Sequence, residues 1–312
     1  MSKKISNLST FLFLMGRAWV FHKLKRYKDV VRVFNRTTQP PRYKKTVFSG
    51  YKPSRNDVFV CTYAKSGTYW ALQIAQQIAY YGEAEFDYIH DLIPWPDVPA
   101  RIGISLSDEN PQKNSPTGLR VIKTHLESDF VPYNPESKYI IIVRDPKDAF
   151  VSSYYFFKAF TPFEGMELSL DEFLELFLQN ESPYDSWASH AASYWPWRTR
   201  ANVAYLNFET MKQDPVSAIV KIASVMNVQL TETQLQKIVL KSDFEYMKAN
   251  DHKFSPNIPM FARSGKKKPT LLRNGKSGNS HELLTREQQA MIDEFCKKEL
   301  GRLGSDMPYL WN

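Results

Sequence analysis

The stretch that most constrains this chain is VFVCTYAKSGTYW, Val58 to Trp70. A β-branched and aromatic run breaks at Ala64-Lys65-Ser66-Gly67. An apolar pattern at helical spacing follows, with Trp70, Ile74, Ile78 and Tyr81 on one face and Gly82 as its C-terminal cap. A strand that turns into a helix through Ser, Gly and Thr presents backbone N–H groups to an anion, and the helix dipole favours the negative charge. Lys65 adds a mobile cation. The unit therefore reads as a phosphate-binding strand–loop–helix.

The alternation continues along the chain. Leu119 to Lys123, Lys138 to Val143 and Ala204 to Phe208 read as three more strands. Pro146 suits the first turn of a helix running to about Phe160. Ser169 with Glu172 has capping-box spacing, and Thr231 with Gln234 and Thr285 with Gln288 mark two further helix starts. Tyr184 to Thr199 reads as one helix, and Asp214-Pro215 opens another. Strands separated by helices imply an α/β fold with a central, mostly parallel β-sheet flanked by helices and joined by right-handed crossovers. Ligands of such sheets bind beyond the carboxyl ends of the strands. That rule puts Lys65, His125 and Arg144 on one rim.

Charge and cysteine usage narrow the class less sharply. The 312 residues suffice for one large α/β domain or two small ones, and 41 Lys and Arg against 33 Asp and Glu give a net charge of +8. This favours an anionic partner: nucleic acid, acidic lipid or a polyanionic small molecule. Cys61 and Cys296 form neither a disulfide framework nor a metal cluster, which fits a reducing cytoplasm. The apolar run Phe11 to Phe21 is interrupted by Arg17 and falls short of the roughly 20 residues of a membrane span. HKLKRYK follows it with no cleavage site. A basic amphipathic helix from Leu8 to about Tyr27 is expected. Its apolar face packs on the domain or, alternatively, makes peripheral contact with a membrane.

A nucleoside triphosphate loop would read GxxxxGK[ST]. Lys65-Ser66 match its end, but Phe59 and Ala64 occupy the two glycine positions. In IIIVRDPKDAFVSSYYFF, Arg144 ends a strand and Ser152 lies two turns into the next helix. Such a pair can grip one phosphate from two sides.

Together these segments resemble the cytosolic-type sulfotransferase family. Lys65 to Trp70 is similar to that family's 5′-phosphosulfate loop, YPKSGTxW. RDPKDAFVSSYYF resembles its 3′-phosphate motif, with Arg144 and Ser152 at the matching positions. RVIKTHL, Arg120 to Leu126, resembles the segment with the catalytic histidine. RNGKSGNSHELLT, Arg273 to Thr285, is similar to a degenerate RKGxxGDWKNHFT motif. The four occur in family order over about residues 45 to 300.

The resemblance implies a single catalytic domain, residues 45–312, preceded by an extension, residues 1–44. It implies 3′-phosphoadenosine 5′-phosphosulfate (PAPS) as donor, its desulfated product PAP, and no metal. Donor contacts would come from Lys65, Ser66, Gly67, Thr68, Tyr69, Trp70, Arg144, Ser152, Arg273, Asn274 and Gly275. Asn274 replaces the family's lysine, and Lys276 stands near enough to compensate. YLNFETMK resembles YLFYEDMK, with Phe208 in place of a tyrosine at the adenine. Ser242-Asp243-Phe244 matches a TSF triplet, so Phe244 and Trp70 would sandwich the base. His125 would be the general base, Lys65 would stabilise the leaving phosphate, Lys123 the sulfuryl oxygens, and Ser152 would hold both the 3′-phosphate and Lys65. The family's C-terminal dimerisation motif is not matched, which leaves the oligomeric state open. The other histidines, His22, His90, His190, His252 and His281, read as structural.

The acceptor is a small-molecule alcohol, phenol or amine in this reading. Segments 83–105, 155–165 and 252–264 would wall it, with Phe86, Tyr88, Trp95 and Tyr155 as contacts. Glu83, Glu85, Asp87, Asp91 and Asp97 cluster in the first segment and raise the possibility of a cationic acceptor, against the plainer reading of a solvated loop. Two other functions compete. A nucleotide kinase would use the same cradle with Mg²⁺ and Asp145. A basic nucleic-acid-binding protein would interleave Lys and Arg with exposed aromatics on one face, and no recognition motif of that kind is present.

Overall fold

The computed structural model describes residues 2–38, 40–98, 102–160, 163, 166–255, 270–275 and 277–311. Lys276 and most of the expected acceptor segment 252–264 lie outside these residues. Helices α1 (Ser2–Lys23), α2 (Tyr27–Thr38) and α3 (Pro41–Val47) precede β1 (Asp57–Thr62) and α4 (Thr68–Ala79). Then come α5 (Asn110–Asn114), β2 (Arg120–Thr124), β3 (Lys138–Val143), α6 (Pro146–Ala159), α7 (Leu170–Leu178), α8 (Trp187–Tyr194) and β4 (Val203–Asn207). The chain continues through α9 (Phe208–Gln213), α10 (Pro215–Val225), α11 (Glu232–Ser242), α12 (Phe244–Ala249) and α13 (Arg286–Arg302).

The four described strands form one parallel sheet in the order β2-β1-β3-β4. β1, β2 and β3 are buried at every position, as expected of strands covered on both faces. Side chains alternate between two cores. Phe59, Cys61, Tyr139 and Ile141 face one core, with Phe150, Phe173, Trp187 and Tyr194. Val58, Val60, Ile140 and Ile142 face the other, with Leu72, Ile74 and Ile78 of α4. Cys61 pairs with Thr124, Thr62 with Ile142, and Val143 with Asn207. The strands therefore end at nearly one level, and the residues just past them share a rim.

Local signals set the helix ends. The expected capping box forms at Ser169 and Glu172, and the starts at Thr231 and Thr285 are capping boxes too, with Gln234 and Gln288. Asp214 caps α10 as expected. Other ends differ. α4 stops at Ala79, because Tyr81 N–H bonds the Ile78 carbonyl at 3.1 Å and Gly82 N–H the Gln77 carbonyl at 2.7 Å. This closes a Schellman turn in which both Tyr81 (φ 53°) and the expected Gly82 (φ 85°) are left-handed. The helix expected over Tyr184 to Thr199 starts at Trp187, where Ser186 caps it, and passes into a 3₁₀ segment at Trp195.

The amino-terminal helix does not run through Tyr27. It ends at Lys23, and a turn through left-handed Lys25 (φ 56°) reverses the chain into α2, a helix the sequence reading did not anticipate. The reversal buries Leu14 and Ala18 of α1 and Val30, Val31 and Val33 of α2 in the first core. Lys28 pairs with Glu175 and Arg32 with Glu181. Buried Lys44 of α3 is answered by Glu127 and Asp185 at 2.7 and 2.8 Å. Among the described residues no helix is long and apolar enough to cross a membrane.

After α13 the chain turns back into the first core. Trp311 sets its ring edge-on to Trp187 at 5.4 Å and donates its indole N–H to Glu209 at 3.3 Å, while Lys147 donates to the Trp311 carbonyl.

Candidate functional site

The loop after β1 is held open by its backbone. Lys65 is left-handed at φ 68° and Gly67 at φ 86°. Arg144, at the end of β3, donates to the Lys65 carbonyl at 2.9 Å and pairs with Asp148 of α6 at 3.4 Å. Asp148 in turn accepts from Gly278 N–H at 2.8 Å, which draws the segment around Arg273 to Gly278 onto the same edge. Two rings close on two glycines. A Cβ at Gly67 would stand 2.7 Å from the Phe208 ring, and one at Gly275 would strike the ring of Phe244. Trp70 meets Phe208 edge-on at 5.7 Å, and the Arg144 guanidinium sits 4.4 Å over Phe208. Gly67→Ala should therefore combine a left-handed backbone penalty with a collision, costing about 2–4 kcal/mol. Chemical denaturation should register the loss, and Phe208→Leu in the same chain should recover part of it.

The loop carries groups without partners. The Ser66 hydroxyl is buried with no hydrogen-bond partner among the described residues. The first turn of α4 has no side-chain cap. The Lys65 ammonium lies 4.4 Å over the Phe156 ring, and burial with Arg144 nearby pushes its pKa down to about 7. Charge-pressed cations and unused donors at a helix start are a setting that an anion relieves.

His125 follows β2. Its Nδ1 lies 2.8 Å from the Thr62 carbonyl, an oxygen that can only accept, so Nδ1 carries the proton and Nε2 the lone pair. Burial and the Lys123 charge hold this imidazole well below the usual histidine value. Its backbone N–H donates to Asp97 at 2.6 Å, and Asp97 also accepts from Thr124. Lys123 is buried, donates to the Tyr69 hydroxyl at 3.1 Å and stands 3.2 Å over the Trp95 ring. Trp95 meets His125 edge-on at 5.6 Å.

Not every expected residue joins this rim in the same way. Tyr69, Trp95, Lys123 and His125 are joined by direct contacts. Lys65 instead meets Arg144 through its carbonyl and Phe156 through its ammonium, Arg144 covers Phe208, and Phe244 packs on Gly275. Ser152 lies on α6 and makes no hydrogen bond with Lys65 in this structure. Tyr155 sits under Arg273, 4.3 Å from its guanidinium, and makes no ring contact with Trp95 among the described residues. The Ser242 hydroxyl hydrogen goes to its own helix at Ile238, 2.6 Å away. No ring contact joins Trp70 to Phe244 among the described residues. Phe86 packs edge-on against Phe254, which meets Tyr69 in turn.

The acidic cluster disperses. Glu83 pairs with Lys237, Glu85 pairs with Lys241, and Asp97 accepts from the His125 backbone N–H. Burial raises Asp97 to about 6. His90, read from sequence as structural, stacks on Trp95 and meets the Tyr69 hydroxyl at 3.3 Å. Nothing in an irregular loop announces this, although His90, Trp95 and Asp97 do sit within eight residues of one another.

A family profile described as "Sulfotransferase domain" matches residues 55–304, which include all of these groups. The chain belongs to the sulfotransferase family. Among its relatives, sulfotransferase 1B1 of Mus musculus is 32% identical over 258 residues, covering 80% of this chain and 84% of its own. Sulfotransferase 1C2 of Rattus norvegicus is 29% identical over 262 residues, covering 80% and 85%. The crystal structure of mouse sulfotransferase SULT7A1 complexed with PAP superposes with a TM-score of 0.64 at 25% identity, covering 83% of this chain and 90% of that one. Retinol dehydratase, solved with retinol and PAP, shares the fold at a TM-score of 0.69 and 20% identity, covering 86% and 88%. The protein is thus a PAPS-dependent sulfotransferase built as a single α/β domain, and the kinase and nucleic-acid readings fall away.

Proposed function

We propose that this sulfotransferase moves a sulfuryl group from PAPS to a hydroxyl or amine of a small-molecule acceptor, with His125 as general base. The observation that carries this reading is the Nδ1 proton held on the Thr62 carbonyl, which leaves the Nε2 lone pair for the acceptor's proton. The catalytic unit would be residues 45–312, with residues 1–44 as an extension, working in the cytoplasm.

The residues fit the donor. The Ser66 hydroxyl, without a partner among the described residues, and the uncapped helix start offer donors to a nucleotide's phosphates, while the rings of Phe208 and Phe244 pressed on Gly67 and Gly275 brace the two loops that would hold them. Lys65, Ser66, Gly67, Thr68 and Tyr69 would hold the 5′ end. Arg144, Ser152, Arg273 and Gly275, with Asn274 alongside, would hold the 3′-phosphate. Trp70, Phe208 and Phe244 would flank the base, and Ser242 would support Phe244. When bound, PAPS supplies an electrophilic sulfur whose leaving group is the 5′-phosphate. His125 accepts the acceptor's proton at Nε2, and the imidazolium so formed feels the charges of Lys123, two residues earlier in the chain, and of Lys65 from the neighbouring strand end. Burial, with that repulsion added, keeps the base neutral at rest and eager to return its proton to solvent. Lys65 and Lys123 set two cations where negative charge collects. Trp95, Tyr69, Tyr88 and Phe86 offer an aromatic wall to the acceptor.

Calorimetry with PAP tests the donor half. With its pKa pushed down to about 7, Lys65 is charged below that pH and neutral above it. A phosphate favours the charged form, so binding at pH 8 should take up a proton and the heat should vary with buffer ionisation enthalpy. Affinity should fall by up to about tenfold per pH unit above 7. Absence of heat from a folded sample would remove the reading, and heat without proton uptake would remove Lys65 from it.

A further inference from the structure

We propose that the outer face of α1 is a docking surface for an anionic lipid membrane. Phe13 is 65% exposed, Trp19 52%, Val20 48% and Leu24 60%. Positions 13, 17, 20 and 24 follow one another at helical spacing, so Phe13, Arg17, Val20 and Leu24 form one stripe, with Trp19 and Lys23 at its edge. The opposite side of the same helix carries Leu14 and Ala18, which are buried in the first core. The helix is apolar on two sides, and the domain covers one of them.

Charge identifies what covers the other. Residues 1–28 contain Lys3, Lys4, Arg17, Lys23, Lys25, Arg26 and Lys28, and neither Asp nor Glu. The first acid, Asp29, is tied to Arg26 and Arg32. The Arg17 guanidinium lies 5.8 Å from the Phe13 ring and the Lys23 ammonium 5.6 Å from the Trp19 ring. Each cation thus rides on an aromatic side chain, an arrangement in which the ring enters the lipid interface and the charge meets the headgroups. A second copy of the chain is a poorer occupant. A twofold contact through this face would set the same basic rim against itself. The helix lies on the bilayer, because no described helix is long and apolar enough to span one. Each basic residue near an acidic surface contributes roughly a fivefold gain in affinity.

The inference is independent of the catalytic reading and can be tested on the full chain. The protein is floated with vesicles of phosphatidylcholine alone and with vesicles containing about one third phosphatidylserine. Binding to the acidic vesicles should exceed binding to the neutral ones at least tenfold, and high salt should reverse it. A variant with Phe13→Ser, Trp19→Ser, Val20→Ser and Leu24→Ser, all exposed positions, should lose at least tenfold with an unchanged thermal melt and unchanged PAP affinity. A second variant, Arg17→Glu with Lys23→Glu, should lose as much. Failure of the native chain to float with acidic vesicles overturns the proposal, and so does flotation that neither variant weakens. If the chain does not float but elutes as a dimer that the serine variant dissociates, the face is an interface between copies and the lipid assignment is wrong.

Discussion

Replacing His125 with alanine should lower kcat by about 10²–10⁴-fold, the range that a positioned general base supplies, while PAP still binds within about threefold of the native constant. The geometry favours a clean result. Asp97 is held by the backbone N–H of residue 125, which alanine keeps, so the loop carrying Trp95 retains its anchor. What disappears is the ring that joins the Thr62 carbonyl to the acceptor side. The pH profile of the native enzyme gives a second check. His125 titrates well below the ordinary histidine value, so the base is already neutral in mildly acidic solution, and kcat/KM should not fall as pH drops from 7 to 6 on its account. A variant with near-native turnover would take His125 out of the chemistry.

Arg144→Ala should act on the donor instead, weakening PAP by roughly 30- to 1,000-fold, the range for removing one partner of a buried, hydrogen-bonded charge contact. The same guanidinium supports the loop through the Lys65 carbonyl and answers Asp148, so the melting temperature should drop as well. Turnover measured at saturating donor should fall far less than with the histidine variant. Arg144→Lys keeps the charge but not the forked geometry and should recover only part of the affinity. Lost turnover with unchanged PAP binding would contradict a role in gripping the donor.

The site was legible where chemistry follows a strand end. Lys65, His125 and Arg144 each sit within three residues of a strand that reads plainly from its apolar run, and a parallel sheet brings such ends to one edge. The helix starts at Ser169, Thr231 and Thr285 were legible because a capping box is a contact between residues three apart. What escaped notice depends on contacts distant in sequence. The break after Lys23 follows from α2 finding a place in the core and partners on α7, and nothing within the HKLKRYK run itself dictates it. The left-handed Tyr81 is invisible beside a glycine that looks like the natural cap. Glu83 and Glu85 look like an acidic patch until α11 brings Lys237 and Lys241 against them. His90 reads as structural, and its seat against Trp95 and the Tyr69 hydroxyl is set by packing that no local pattern announces.

The return of the chain after α13 braces the rim from behind. Arg302, Leu303 and Gly304 are exposed, whereas Met307 and Trp311 are buried, and Trp311 props Glu209, which receives the Asp145 N–H beside Arg144. A protease cutting after Arg302 would leave the terminal segment in place as a non-covalent guest. Such nicked enzyme would stay active in a concentrated stock and fade on dilution, and adding the free peptide back would restore it.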